Sequence, residues 1–221
     1  MSSIKLKHSG GNSVSLNPPT SAPTSSDVAF KLPTSDGSAG QVLKTDGSGN
    51  LSWVSQPTAG ITMVDQYCLQ ANKSVNGNAA LDLDADFVRV SGNISGGGHV
   101  GTGMTKSGAI FSFPSTGIYK LFFSATVSMN SGSTGNRYAQ NPLLITTDNS
   151  NYTLRAMGLD GVDAISGESF GNPVTEFVFD VTDTSLCKCK FQVQSGESNY
   201  TIFGQSGRLD TFVTFTRIGD T

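Results

Sequence analysis

Glutamate is nearly absent from this chain, occurring only at Glu168, Glu176 and Glu197, and no stretch repeats apolar residues at helical spacing for three turns. Helices lean on such residues and on that period, so both scarcities predict an all-β protein. Charge is sparse as well: 14% of residues are charged, the net charge is -3 and the pI is near 5.2. That excludes the clustered basic surface a nucleic-acid partner would demand. No run approaches the roughly 18 apolar residues of a membrane span, so no membrane insertion is expected. Met1 to His8 also lacks a signal peptide's apolar stretch, which points to a soluble protein made in the cytosol.

Cysteine is limited to Cys68, Cys187 and Cys189, an odd number that fits reduced thiols better than a disulfide framework. The only histidines, His8 and His99, lie in Gly-rich surroundings, so the Cys-x-Cys pair finds no further ligands for zinc. Cys187, Cys189, Phe191 and Val193 instead share one strand face, with Lys188, Lys190 and Gln192 on the other. No metal and no cofactor is expected.

What the chain does have is turn-forming material, with 26 glycines among abundant Ser, Thr and Asn, and 36% apolar residues. Its 221 residues suffice for one domain of ordinary size, roughly 100–150 residues, plus an appendage. The division falls between residues 1–57 and 58–221. The first part holds five of the eight prolines, at Pro18, Pro19, Pro23, Pro33 and Pro57. Such a segment buries too little apolar surface to offset its own ordering entropy. Its apolar residues come in alternating groups, Ile4 with Leu6, Val14 with Leu16, and Val28 with Phe30 and Leu32. These suit short strands added to a partner's sheet edge, so the segment is expected to be ordered by sister chains or by a larger assembly. Within it, residues 41–54 read as a β-hairpin around Asp46-Gly47-Ser48-Gly49-Asn50, with Leu43, Leu51 and Trp53 as expected contacts between copies.

The opening Ser3-Ile4-Lys5-Leu6-Lys7-His8-Ser9-Gly10-Gly11-Asn12-Ser13-Val14 resembles the N-terminus of structural proteins from marine bacteriophages, especially those of cyanobacteria. The stretch Leu32-Pro33-Thr34-Ser35-Asp36-Gly37-Ser38-Ala39-Gly40-Gln41-Val42-Leu43-Lys44-Thr45-Asp46-Gly47-Ser48-Gly49-Asn50-Leu51-Ser52-Trp53 resembles a short module recurring in phage tail-fibre proteins. Together they cover about the first quarter of the chain. They imply a virion location and partners among capsid or tail proteins, contacted through the N-terminal segment.

From about residue 60 longer alternating strands follow, read at Ile61 to Leu69, Leu81 to Val90, within Ala109 to Val127, at Pro142 to Thr147, Tyr152 to Met157, Val174 to Val181, Cys187 to Val193, Tyr200 to Phe203 and Thr211 to Ile218. Asn76-Gly77 marks a tight turn, and the Gly-rich run Ser95 to Gly101 reads as a mobile loop. About eight to ten strands suit an antiparallel jelly-roll sandwich. Phe113-Pro114-Ser115-Thr116-Gly117-Ile118-Tyr119 and the aromatic ending Thr211 to Ile218 resemble the complement q-type globular heads, which belong with tumour-necrosis-factor-like jelly rolls. That resemblance implies a compact homotrimer on an extended stalk. The last strand carries Phe212 and Ile218 on one face and Val213 and Phe215 on the other, and Phe122 interrupts an otherwise polar face. Phe122, Val213 and Phe215 are therefore expected trimer contacts.

Chemistry is poorly supplied. Asp82, Asp84 and Asp86 line one face of the strand read at Leu81 to Val90, a spacing that spreads carboxylates instead of gathering them for calcium. No pair of carboxylates or nucleophile with base is indicated by a motif, so no enzyme is expected. The leading expectation is a trimeric phage fibre or spike, anchored by its N-terminus and presenting the jelly roll to a host-surface glycan or protein. The alternative is a capsid decoration or cement protein; a secreted complement-like module and a glycan-cleaving enzyme rank below both. Tyr138, Asn151, Tyr152, Asn199 and Tyr200 are the candidate receptor-facing residues.

Overall fold

A computed structural model describes residues 4–17, 19–21, 23, 28–56, 60–76, 79–84, 86–90, 94, 97–129, 138–161, 168–196 and 199–221. The chain forms two compact units, Met1–Ala59 and Gly60–Thr221. Among the described residues there is no helix.

The first unit contains two hairpins. Strand β1 (Ile4–Lys7) pairs antiparallel with β2 (Ser13–Leu16), setting Ile4 opposite Leu16 and Leu6 opposite Val14. The turn is drawn tight by the Gly10 N–H, which donates to His8 Nδ1 at 3.0 Å. Strand β3 (Gln41–Thr45) pairs with β4 (Leu51–Ser55) as the residue pattern predicts. Asp46 organises the loop between them: its carboxylate accepts the Asn50 amide at 2.5 Å and the Ser48 N–H at 2.8 Å. Those bonds, the Asn50 amide foremost, hold the Asp46 carboxyl below the usual carboxylate range. A third segment joins the hairpin where Lys31 N–H donates to Gly49 O and Lys31 O accepts Leu51 N–H, at 2.8 and 2.9 Å.

The second unit is a sandwich. Its strands are β5 (Met63–Leu69), β6 (Ala71–Asn76), β7 (Leu81–Asp82), β8 (Phe87–Arg89), β9 (Thr105–Ser107), β10 (Ile110–Ser112), β11 (Gly117–Ser124) and β12 (Val127–Met129). They continue with β13 (Tyr138–Thr146), β14 (Thr153–Gly161), β15 (Ser169–Gly171), β16 (Val174–Val181), β17 (Lys188–Ser195), β18 (Asn199–Gln205) and β19 (Phe212–Gly219). One sheet runs β14-β13-β17-β10-β9 with β7 also on β17; a second runs β16-β11-β19-β5-β8; a third runs β15-β12-β18-β6. All these pairings are antiparallel, and neighbours such as β11 and β19 are far apart in sequence, the crossover pattern of a jelly roll.

Side chains alternate into one shared core. Tyr119, Leu121 and Phe123 from β11 meet Val213 and Phe215 from β19, and Cys189, Phe191 and Val193 from β17 face them. Phe111 lies at the centre, with ring centroids 4.9 Å from Tyr67, 5.1 Å from Phe215 and 5.6 Å from Phe191. Such edge-on aromatic contacts add to the area they bury. Val127, Met129, Tyr200 and Ile202 bring the third sheet into the same core.

The Phe113–Tyr119 motif acquires a physical explanation. The two rings pack 4.8 Å apart, and the Tyr119 hydroxyl donates back to Ser115 O at 3.0 Å. Gly117 has φ +141°, and a Cβ there would come within 2.5 Å of Arg217 Nε and 2.6 Å of Gly219 O. Only glycine lets the chain pass so close to β19.

Several expected elements differ. The strand read at Leu81 to Val90 is broken into β7 and β8, because the Phe87 N–H donates to Asp84 O and turns the chain between them. The Ala109 to Val127 segment is three strands, β10, β11 and β12. The strand expected from Pro142 begins earlier, at Tyr138. The end of the Ser95 to Gly101 run is tied down: Val100 exchanges both backbone hydrogen bonds with Val64, and Gly101, at φ +70°, lies against Thr62 O. Ser95, Gly96 and the Gly77 turn lie outside the described residues.

Candidate functional site

The N-terminal unit presents its apolar residues to solvent. Ile4, Leu6, Leu16, Val28, Phe30 and Leu32 are all exposed, Leu32 to 72%. Val14 stands opposite Leu6 in the β1–β2 register. Val28 and Phe30 line an open hollow of about 800 Å³ with Asn17, Pro19, Ser21 and Pro23. Among the described residues of this unit there is no buried apolar cluster. Trp53 is partly used within the unit: its indole N–H donates to Ser35 O at 3.0 Å, and its ring covers Gly37, where a Cβ would lie 2.5 Å from it. Leu43 and Trp53 face each other across β3 and β4 and remain exposed, whereas Leu51 is half-buried.

In the second unit the expected contact residues separate. Val213 and Phe215 are fully buried in the chain's own core, so neither is available to a neighbour. Which face of β19 turns inward was ambiguous because both are apolar; the position of Phe111 and Phe191 across the sandwich selects the Val213 face. Phe122 does lie on the outer face, half-buried, with its ring 5.8 Å from Phe212. Val174, Val178 and Ile218 are exposed on the same side of that sheet.

The five receptor-facing candidates are not brought together. Tyr138 opens β13, while Asn151 and Tyr152 follow its far end, about 25–30 Å away along a strand of that length. Asn151 is exposed, but its amide donates to Asp148 Oδ2 at 2.7 Å inside the turn. Tyr152 is half-buried beneath Lys190, whose Nζ sits 5.4 Å from the ring centre. Tyr200 is a correction: it is 1% exposed, and its hydroxyl points inward, sharing its single proton between Val193 O at 3.1 Å and Ala79 O at 3.2 Å. Burial pushes that phenol up to about 12. Asn199 is exposed at the start of β18.

The acidic trio is neutralised by lysines. Asp82 accepts Gln192 at 2.7 Å and pairs with Lys190 at 3.3 Å, while Lys73 bridges Asp84 and Asp86 at 3.1 Å each. Asp82 lies on β7, Asp84 and Asp86 beyond it, so they do not share one strand face. Among the described residues no three His, Cys, Asp or Glu side chains are placed to hold a metal ion.

Two buried polar arrangements escaped the residue pattern. Asp65, fully buried, accepts Arg89 Nε at 3.0 Å, Arg89 Nη2 at 2.9 Å and the Met104 N–H at 2.7 Å, while Arg89 lies over the Tyr67 ring. The Asp65 hydrogen bond, against some desolvation, raises the Arg89 pKa further. Asn141, also fully buried, donates to Phe123 O and Pro173 O and accepts the Gly158 N–H, tying β13 and β14 to the second sheet. The only sequence signal for either was a polar residue in an inward register position.

No protein-family model matches the sequence, and no curated protein matches it either. Solved structures do resemble it. Eiger, a TNF from S. frugiperda, superposes with a TM-score of 0.51 at 10% identity, covering 73% of this chain and 96% of its own. Murine APRIL reaches 0.49 at 12% identity over 71% of this chain and 98% of its own. The PRD1 vertex protein P5 reaches 0.42 at 19% identity over 73% and 100%. The likeness to Eiger is one of fold: the chain is all-β, with an antiparallel TNF-like jelly roll.

Proposed function

We propose that the chain is a bacteriophage virion appendage, a trimer fixed to the particle by its N-terminal unit and displaying the jelly roll for attachment to a host surface. The observation that carries this reading is the contrast between the two units. One holds a buried core of 27 described side chains, whereas the other exposes Ile4, Leu6, Leu16, Val28, Phe30 and Leu32. Apolar residues arrayed this way on a segment without a core belong against a partner. The phage assignment draws on the likeness of Ser3 to Val14 and of Leu32 to Trp53 to phage structural proteins. Trimerisation draws on the Phe122 and Phe212 pair with Val174, Val178 and Ile218, apolar residues set around the Lys120–Glu176 ion pair on an outer face that a neighbouring copy would cover. Weak attachment suffices in such a design, because several heads per appendage and many appendages per particle raise the effective concentration. The role is one of binding, without catalysis.

Deleting residues 1–57 tests the division of labour. The truncated chain should remain soluble, trimeric and β-rich by circular dichroism and sedimentation, yet be lost from assembled particles. Particles that still incorporate it would refute the anchoring role.

A further inference from the structure

The third sheet of the jelly roll carries a surface with a different character. Register places Phe170, Ser128, Thr201 and Ser74 in one continuous row across β15, β12, β18 and β6. Phe170 is 56% exposed, and its ring lies 5.7 Å from that of Phe203 on β18. Ser74 and Thr201 place their hydroxyl oxygens 3.5 Å apart beside these rings. Asn72, two residues before Ser74 on the same face of β6, is oriented by the Gly204 N–H, which donates to its Oδ1 at 3.1 Å.

Two further facts point to a ligand. Ser128, between Phe170 and Thr201 in the row, is 1% exposed, and among the described residues its hydroxyl has no hydrogen-bond partner. Such a group is poorly satisfied in the free protein and better satisfied by a polar ligand reaching it. Second, the row itself, Phe170, Ser128, Thr201 and Ser74 with Phe203 and Asn72 beside it, bears no charge; the exposed Glu168 flanks its Phe170 end. Lys73, the nearest cation on β6, stands opposite buried Ile202 and is held on the other face by Asp84 and Asp86.

We propose that this face binds a neutral glycan, through the Phe170 and Phe203 rings and the polar row of Thr201, Ser74, Ser128 and Asn72. A pyranose presents weakly positive C–H groups on one face and hydroxyls around its rim. The first complement the negative face of an aromatic ring, and the second match hydroxyl and amide partners. A nucleic acid would need clustered cations, and the row from Phe170 to Ser74 has none. The inference deepens the attachment role proposed above by naming the surface and the chemical class of receptor.

Saturation-transfer NMR on the full-length protein tests it. The probes are the methyl glycosides of glucose, galactose and mannose, N-acetylglucosamine and dextran, with sialyllactose and heparin as charged controls. Neutral probes should receive saturation and charged ones should not. Phe170→Ser, at an exposed position, should weaken binding about tenfold, the worth of one ring contact. Phe170→Trp should retain binding, and the near-isosteric Thr201→Val should weaken it several-fold with circular dichroism unchanged. No binding of any neutral probe, stronger binding of the charged ones, or undiminished binding by Phe170→Ser would overturn the proposal. So would dissociation of the oligomer by Phe170→Ser in sedimentation, which would make the face an interface between copies. Particles carrying Phe170→Ser that adsorb normally to host cells would remove this site and leave the attachment role standing.

Discussion

Replacing Arg89 by methionine should damage the jelly roll more than replacing its partner Asp65 by asparagine. The two side chains form one ion pair, but they are buried unequally: Asp65 is inaccessible, whereas the Arg89 side chain is 32% exposed. Arg89→Met strands a carboxylate in the core with the Met104 N–H as its remaining described partner. Breaking a buried pair from that side costs about 3–5 kcal/mol, which for a chain of this size lowers Tm by on the order of 10 °C. Asp65→Asn keeps one acceptor oxygen for three converging donors, and the guanidinium can turn toward water; the loss should be near that of one charged hydrogen bond, about 1.5–3 kcal/mol. The double variant Asp65→Leu with Arg89→Met should recover part of the loss, because no charge is then left in the core. Urea titrations of the full-length protein, read by far-ultraviolet circular dichroism, give the three values. If Asp65→Asn proves as costly as Arg89→Met, or the double variant is worse than Arg89→Met alone, burial asymmetry does not govern this pair.

Three further outcomes are expected. Cys68, Cys187 and Cys189 are free and buried, and burial pushes the Cys68 and Cys189 thiols up, so the native protein should resist a disulfide exchange reagent and react fully only when denatured; rapid native labelling would contradict the packing. The Asp148 carboxylate is held far below the usual range by the Asn151 N–H and side-chain amide, the Thr146 hydroxyl and the Ser150 N–H. The turn's contribution is therefore complete above the ordinary Asp value of about 3.9 and is lost only as pH falls through the lower folded value. Amide shifts of Ser150 and Asn151 followed by NMR should titrate below a model peptide, and a midpoint at or above it would refute the assignment. Gly37→Ala places a methyl against the Trp53 ring, so the emission of this sole tryptophan should shift to the red as the ring is displaced; an unchanged spectrum would mean that the ring does not rest there.

Strand alternation was legible where one face is apolar and the other polar. Along β17, Cys189, Phe191 and Val193 turn inward and Lys188, Lys190 and Gln192 outward, as a period of two requires. The Asp46 loop was equally legible, since Asp, Gly and Asn perform local chemistry that needs no distant partner. Local signals failed where the deciding partner is remote. Both faces of β19 are apolar, and only Phe111 and Phe191, drawn from other strands, determine that Val213 and Phe215 are core and not contact surface. Tyr200 was a candidate contact residue until the Val193 and Ala79 carbonyls claimed its hydroxyl.

The candidate site shows the same division. Exposed apolar spacing in the N-terminal unit was visible directly, because a segment that cannot build a core reveals this through its composition. The row from Phe170 to Ser74 was invisible, since its members are separated by as many as 127 residues and become neighbours only through the pairing of four strands. Composition and periodicity alone determined that the chain is all-β. Only the tertiary structure decided which apolar face is core, where the acidic trio finds its lysines, and which residues share a surface, because each depends on contacts between strands distant in sequence.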